Sequence, residues 1–121
     1  LLGLLTGNLE PTARLKLQAA GYDPARFRVG AFGGESTERA DLVPVAVERA
    51  RALTGTEFRG KQIVIIGDAP ADVLCGQPLG VRTIGVLTGW HDRADLEAVS
   101  ADAIFDDLTD VEAVIEAAFG G

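Results

Sequence analysis

Apolar runs alternate with helical patterns along the whole chain. The strongest run, Lys61–Ile66, contains four consecutive branched aliphatic residues and ends at Gly67, which is the pattern of a strand buried on both faces of a sheet. Strand followed by helix, repeated about five times, predicts an α/β fold with a mostly parallel sheet and helices on both faces. The other predicted strands are Leu1–Leu5, Val29–Phe32, Val81–Leu87 and Ala103–Phe105, and the predicted helices are Pro11–Ala20, Asp41–Leu53, Pro70–Leu79, Arg93–Val99 and Thr109–Ala118.

Local signals place several helix boundaries. A proline fits into a helix only in the first turn. Pro44 therefore predicts that the second helix begins only a few residues before position 44. Thr109 and Glu112 form a capping-box pattern, which predicts Thr109 as the N-cap of the last helix. Gly80 is expected to end the helix that begins at Pro70.

Composition narrows the function classes. The chain has 121 residues, enough for one domain with a core, and its 47% hydrophobic content excludes a disordered tail. Eleven basic residues against 18 acidic ones give a net charge of -7, which argues against a broad nucleic-acid surface but leaves room for a local cationic pocket. No apolar run approaches the roughly 20 residues of a membrane span. We therefore expect neither a nucleic acid nor a membrane as partner.

The cysteine content indicates the compartment of the protein. Cys75 is the only cysteine of the chain, so no intrachain disulfide can form. We expect it to be a core thiol, which fits a reducing cytoplasm. The chain starts at Leu1, inside an apolar run and without a methionine. Because a natural protein rarely starts in mid-strand, we expect further sequence upstream.

Two carboxylates follow the strongest strand, four residues apart. Asp68 is expected at the carboxyl end of the strand, and Asp72 one helical turn further on. Ligands bind at that edge of open α/β sheets, and two close carboxylates suit a cation such as Mg²⁺. The simpler interpretation is that Asp68 caps the helix and Asp72 is a solvated acid of its first turn.

Two other turns could bind an anion. Thr6, Gly7 and Asn8 follow the first predicted strand and would offer a hydroxyl and backbone N–H groups, or would form an ordinary turn. Arg39 follows a glycine-rich strand exit and precedes a helix. Its guanidinium could neutralise a phosphate or pair with a neighbouring glutamate.

The order of these features resembles a known family. The turn after the first strand, Arg39 before a helix and the Gly-Asp-x-x-x-Asp pattern at 67–72 are similar, in that order, to motifs II, III and IV of the haloacid dehalogenase-like (HAD) hydrolase superfamily. Segments 80–89 and 102–108 look like those that follow motif IV in its phosphoglycolate-phosphatase-like branch. The resemblance spans nearly the whole chain, and motif IV is its specific part.

The resemblance implies a HAD-type Rossmann-like three-layer sandwich. It also implies a Mg²⁺-dependent phosphatase that acts on a small phosphorylated metabolite through an aspartyl-phosphate. Phosphoryl transfer needs charge neutralisation and positioning, which these residue types supply. By position, the catalytic residues would be Thr6, Arg39 and Asp68, the substrate-binding residues Thr6, Gly7, Asn8 and Arg39, and the Mg²⁺ ligands Asp68 and Asp72.

The chain departs from the family pattern at two motifs. Motif III is usually lysine, whereas the candidate here is Arg39, with Arg14, Lys16 or Arg49 as alternatives. Motif I, an Asp-x-Asp that includes the nucleophile, does not occur in the chain and would lie upstream together with the cap. We therefore predict that the chain is the C-terminal part of a HAD-like core domain, that the missing N-terminal half of the same protein is its partner, and that the fragment alone is inactive.

Three alternatives compete with this interpretation, and the motifs of the chain argue against the last two. A non-catalytic phosphate-binding or regulatory α/β domain would lack Asp-x-Asp upstream. A haloacid dehalogenase would need no metal and would lack the Gly-Asp-x-x-x-Asp pattern. A dinucleotide-binding Rossmann domain would carry G-x-G-x-x-G after a strand, which this chain does not.

Overall fold

The structure is a computed structural model that describes residues 3–6, 10–32, 39–87 and 92–119. All ten elements expected from the sequence are present within these ranges. The strands are β1 (Gly3–Leu5), β2 (Val29–Ala31), β3 (Val64–Gly67), β4 (Arg82–Val86) and β5 (Ala103–Phe105). The helices are α1 (Glu10–Ala19), α2 (Arg39–Thr54), α3 (Pro70–Leu74), α4 (Arg93–Ala98) and α5 (Val111–Phe119).

The chain divides into two compact units, Leu1–Phe58 and Arg59–Gly121. In the first unit, β1 and β2 pair in parallel and α2 packs against both strands. In the second unit, the strand order is β3-β4-β5, and both strand pairs are parallel. Every strand pair in the described part is parallel, so the predicted α/β class with a mostly parallel sheet is confirmed.

Each unit has its own buried core. In the first unit, Ala31 at the end of β2 and Leu42 of α2 are buried. In the second unit, β4 is the central strand and is buried over most of its length. Ile84 of β4 and Leu96 of α4 are completely inaccessible to solvent. Burial of such aliphatic side chains contributes roughly 1.5–3 kcal/mol each to folding.

β3 was predicted to be buried on both faces, and within the described part of the chain it is not. Ile66 is 47% exposed, and the side chains of Val64 and Ile65 are only half-buried. The physical reason is the position of β3 at the edge of its sheet, where only β4 pairs with it. The continuous apolar run therefore indicated the right element, and the predicted burial on both faces is only partial within this chain.

Two helix starts differ from the prediction. α2 begins at Arg39, so Pro44 lies in the interior of the helix and not in its first turn. At this interior position the missing N–H of proline removes one backbone hydrogen bond. α5 begins at Val111, and Asp110 Oδ1 accepts a hydrogen bond from the N–H of Ala113 at 3.2 Å. The predicted N-cap, Thr109, instead donates its hydroxyl to Asp107. The Thr109 prediction was wrong because a neighbouring aspartate, an equally good cap residue, takes that place.

α3 is shorter than predicted. It ends at Leu74, and a separate 3₁₀ turn follows over Gln77–Leu79. Pro78 lies in that turn and cannot donate the hydrogen bond that a continuous helix needs. Gly80 ends the turn in the left-handed conformation, with φ at 65°, as the stop signal predicted.

Asp102 joins the start of β4 to the segment before β5. Its Oδ2 accepts hydrogen bonds from the N–H of Thr83 at 2.8 Å and from the Thr83 hydroxyl at 3.3 Å. Lys61 Nζ lies 3.4 Å from the same oxygen. Partial burial tends to raise the pKa of Asp102, but the hydrogen bonds from Thr83 and the charge of Lys61 outweigh it, so the pKa lies below its usual value.

Asp102→Asn is expected to lower the free energy of unfolding by about 1 kcal/mol at pH 7. Because the pKa of Asp102 is lower in the folded state, its contribution is present above the unfolded pKa of about 3.9 and is lost as the pH falls through the folded value. Urea unfolding at pH 7 and pH 3 would measure this, with the exposed Asp106→Asn as control. A stability difference that stays constant between the two pH values would contradict the assignment.

Candidate functional site

Asp68 lies where the sequence predicted it, directly after the carboxyl end of β3. Its side chain is exposed, and the residue lines a cavity of about 400 Å³ together with Gly67, Val86 and Leu108. Val86 is the last residue of β4, and Leu108 follows the end of β5. The cavity thus opens at the edge where parallel α/β sheets bind ligands.

Asp72 fixes the backbone that carries Asp68. It lies in the first turn of α3, and its Oδ2 accepts hydrogen bonds from the N–H of Asp68 at 3.1 Å and of Ala69 at 3.0 Å. The N–H of Ala69, the N-cap residue, is one of the donors that a helix N-terminus leaves without an intrahelical partner. The alternative in which Asp68 caps the helix was wrong, because the N-cap residue is Ala69, and the carboxylate of Asp72 in the first turn accepts from its N–H.

Gly67 allows this arrangement by lacking a side chain. A Cβ at Gly67 would lie 2.3 Å from Cβ of Asp72 and 2.4 Å from its Oδ2. Carbon atoms that are not bonded do not approach so closely, so any other residue would displace Asp72. The glycine before the aspartate is thus required for close approach of the helix to the strand end.

The donor set of this edge suits a hard cation only in part. Mg²⁺ binds through one or two carboxylates, with water and substrate phosphate completing its shell, and Asp68 offers an exposed carboxylate. Within the described ranges, no group of three or more His, Cys, Asp or Glu side chains could hold a metal ion. A third His, Cys, Asp or Glu ligand would have to come from residues outside those ranges or from another part of the protein.

The predicted phosphate-binding residues belong to the first unit. Thr6 follows β1, is half-buried, and donates its N–H to the carbonyl of Ala31 at 3.2 Å. Gly7 and Asn8 lie outside the described residues, so their predicted roles stay predictions. Arg39 is the first residue of α2 rather than the residue before it, and its side chain also lies outside the described part.

Two of the alternative cations have defined surroundings elsewhere in the first unit. Arg14 Nη1 donates to the carbonyl of Pro24 at 3.3 Å, and Arg49 Nη1 donates to the carbonyl of Gly30 at 2.6 Å. Both arginines line a second cavity, which Thr6 does not line. The structure therefore brings Asp68 and Asp72 together, and it places Thr6 and Arg39 in the other unit.

The apolar walls of the Asp68 cavity were not predicted from the sequence. Val86 and Leu108 carry no chemical signal, but both follow from the rule that the carboxyl ends of parallel strands meet at one edge.

Cys75 was predicted as a core thiol, and this is confirmed, because its side chain is buried with Sγ 3.1 Å from the carbonyl oxygen of Asp72.

One family model matches the chain, and several solved structures are similar to it in fold. A family model described as HAD-hydrolase-like matches residues 39–111. The chain is similar to a solved structure of a predicted phosphatase from Clostridium acetobutylicum, with 18% identity, a TM-score of 0.75, and coverage of 93% of this chain and 50% of that one. A hydrolase from Pseudomonas syringae has 21% identity, a TM-score of 0.69, and coverage of 90% and 50%.

A third similar structure is a haloacid dehalogenase-like hydrolase from Streptococcus pneumoniae, with 22% identity, a TM-score of 0.72, and coverage of 87% and 47%. The chain thus spans about half the length of the solved proteins it resembles. None of the proteins of curated function matches it. In the described ranges, every helix is too short or too polar to cross a membrane.

Proposed function

The chain belongs to the HAD-hydrolase-like family, and on this premise we propose that the whole protein is a Mg²⁺-dependent phosphomonoester hydrolase acting through an aspartyl-phosphate. Membership confirms the resemblance seen in the sequence, and the similar structures confirm the HAD-type α/β fold. The hydrolase class comes with the family, whereas the metal, the intermediate and the substrate are our proposal.

One observation carries the proposal. Asp68 presents an exposed carboxylate beside a cavity at the carboxyl end of β3 and β4, and Asp72 holds its backbone through two hydrogen bonds. A carboxylate held on a fixed backbone at this edge is suited to binding a cation that accompanies a phosphate.

We propose a different role in phosphoryl transfer for each of these residues. Asp68 would bind Mg²⁺ directly, and the ion would neutralise charge on the phosphate. We assign Asp72 a positioning role, because its Oδ2 already binds the N–H groups of Asp68 and Ala69. Thr6, Gly7, Asn8 and Arg39 keep their proposed roles in binding the phosphate oxygens and neutralising their charge.

We propose that the nucleophile and the cap come from the N-terminal half of the same protein. The absence of Asp-x-Asp from the chain supports this, as does the exposure of Ile66 on β3. Backbone groups alternate in direction along a parallel strand, and Ile63 bonds towards β4, so Val64 and Ile66 point their N–H and C=O groups away from β4. An added parallel strand would satisfy these groups.

The last helix offers the same half a second surface. Val111, Ile115 and Phe119 recur every four residues along α5, and all three are largely exposed. Residues at this spacing form one stripe on a helix, and an exposed apolar stripe indicates a missing contact.

Because the nucleophile lies in the other half, residues 1–121 expressed alone would bind phosphate without turnover. We place the reaction of the whole protein in the cytoplasm, where a reduced buried thiol such as Cys75 is ordinary.

The proposal predicts that the whole protein releases phosphate from p-nitrophenyl phosphate with Mg²⁺ present. Removing the metal with EDTA should abolish turnover, because charge on the phosphate is then not neutralised, and excess MgCl₂ should restore it. Phosphate release followed by absorbance of p-nitrophenol measures both effects.

Two other outcomes would contradict the proposal and identify an alternative. Chloride release from 2-chloropropionate that does not depend on metal would indicate a haloacid dehalogenase. Phosphate binding without turnover of p-nitrophenyl phosphate in the whole protein would indicate a non-catalytic or regulatory domain.

A further inference from the structure

The first unit contains a larger cavity than the one beside Asp68. It is an open cleft of about 820 Å³ between α1, β2 and α2, and its volume lies in the range of small-molecule sites. None of Thr6, Asp68 or Asp72 lines it. Among the described residues, its charged lining consists of Glu10, Arg14, Arg28 and Arg49.

The cleft is cationic in an acidic protein. Among the residues that the structure describes, three arginines and one acid, Glu10, line it, whereas the chain as a whole carries a net charge of -7. Glu10 lies 3.5 Å from Arg14, one turn away on the same helix. Guanidinium groups that converge from α1, from α2 and from the residue before β2 suit a ligand with more than one negative charge.

Two of the guanidinium groups are oriented by the backbone. Arg14 Nη1 donates to the carbonyl of Pro24 at 3.3 Å, and its guanidinium carbon lies 5.9 Å from the centre of the Phe32 ring. Arg49 Nη1 donates to the carbonyl of Gly30 in β2 at 2.6 Å. A guanidinium has five N–H donors and can bind a carbonyl and an anion together. Both groups are therefore partly ordered before any ligand arrives, which lowers the entropy cost of binding.

The walls of the cleft are apolar. Phe32 is buried at 6% exposure, Leu53 is 43% exposed, and Val29 and Ala52 complete this surface. Apolar walls with a few convergent charged groups are typical of sites for organic ligands rather than for simple ions.

We propose that this cleft binds a small organic phosphate or phosphonate, a dianion whose head pairs with the arginines and whose carbon part packs on Phe32 and Leu53. Arg28 is the test residue because it is exposed and lies directly before β2, where a change of side chain leaves the core intact. The inference is independent of the proposed hydrolytic site.

The probe is phenylphosphonate, whose carbon–phosphorus bond a phosphatase does not cleave. Binding to the whole protein is measured by titration calorimetry with EDTA present and in the Asp68→Asn variant, so that metal-assisted binding beside Asp68 does not contribute. We expect Arg28→Gln to raise the Kd about tenfold, as loss of one charged hydrogen bond would. Ala52→Phe should abolish binding by filling the cleft. The neutral analogue benzyl alcohol should not bind.

The matched control is Arg26→Gln, which makes the same change two residues away at an exposed arginine that does not line the cleft. It should leave the Kd unchanged. An equal Kd in the two arginine variants, whether weakened or unchanged, would overturn the proposal, because phenylphosphonate would then bind elsewhere. Binding of benzyl alcohol as tight as that of phenylphosphonate, or no binding to the unmodified protein, would overturn it as well. Loss of turnover in Asp68→Asn with phenylphosphonate binding retained separates this cleft from the proposed function.

Discussion

Asp68→Asn is expected to lower the Mg²⁺-dependent kcat/KM of the whole protein at least about 100-fold, the scale of losing one group that stabilises charge in a transition state. The substitution removes the negative charge and keeps the shape. The backbone N–H of residue 68 can still bond to Asp72, so the fold of the loop is expected to survive. Steady-state hydrolysis of p-nitrophenyl phosphate over a range of MgCl₂ concentrations measures the loss.

Asp23→Asn is the matched control for the change of charge. Asp23 caps the 3₁₀ turn Pro24–Arg26 by accepting from the N–H of Ala25 at 3.0 Å, and asparagine caps equally well. This control should keep the activity of the unmodified protein. Unchanged kinetics in Asp68→Asn would remove Asp68 from the proposed metal site, and an equal loss in both variants would indicate a general charge effect.

Gly67→Ala is expected to reduce activity sharply and to cost about 1–3 kcal/mol of stability, as overpacking does. Its Cβ would lie 2.3 Å from Cβ of Asp72, so Asp72 must move and release the N–H groups of Asp68 and Ala69. Asp68 would then lose its fixed backbone. Thermal unfolding and kcat/KM of the whole protein measure the two effects.

A double-variant cycle tests whether the clash with Asp72 is the cause. Asp72→Gly removes the atoms that the new methyl group would meet, so Gly67→Ala should cost less stability in that background than alone. Activity should stay low in the double variant, because the bonds that hold Asp68 are still missing. Additive losses of stability would mean that Gly67 matters for a reason other than its contact with Asp72.

Hydrophobic periodicity predicted the elements well and their ends less well. All five strands and five helices appear near their expected positions, because apolar spacing reports which face of an element can be buried. Helix ends depend on competition between neighbouring polar groups. Asp110 rather than Thr109 bonds to the first turn of α5, and this choice between adjacent residues is not encoded in the pattern.

The sequence predicted the positions of the two aspartates correctly, but it did not predict all of their contacts. The Gly-Asp-x-x-x-Asp spacing correctly placed Asp68 at a strand end and Asp72 one turn later. It did not reveal that Asp72 binds backbone N–H groups, since a carboxylate in a helical first turn can face a cation, solvent or the helix end. The arginine cleft had no sequence signal, because Arg14, Arg28 and Arg49 are far apart along the chain and meet only after folding.

The sequence by itself determined the α/β class, the family and the identity of the carboxylate at the strand end, since these follow from periodicity and from residue types at short spacing. Only the tertiary structure decided that β3 lies at an edge with Ile66 exposed, that Gly67 is needed for contact with Asp72, and that three distant arginines share one cleft. Burial and convergence depend on which elements become neighbours, and that is set by packing over the whole chain rather than by local pattern.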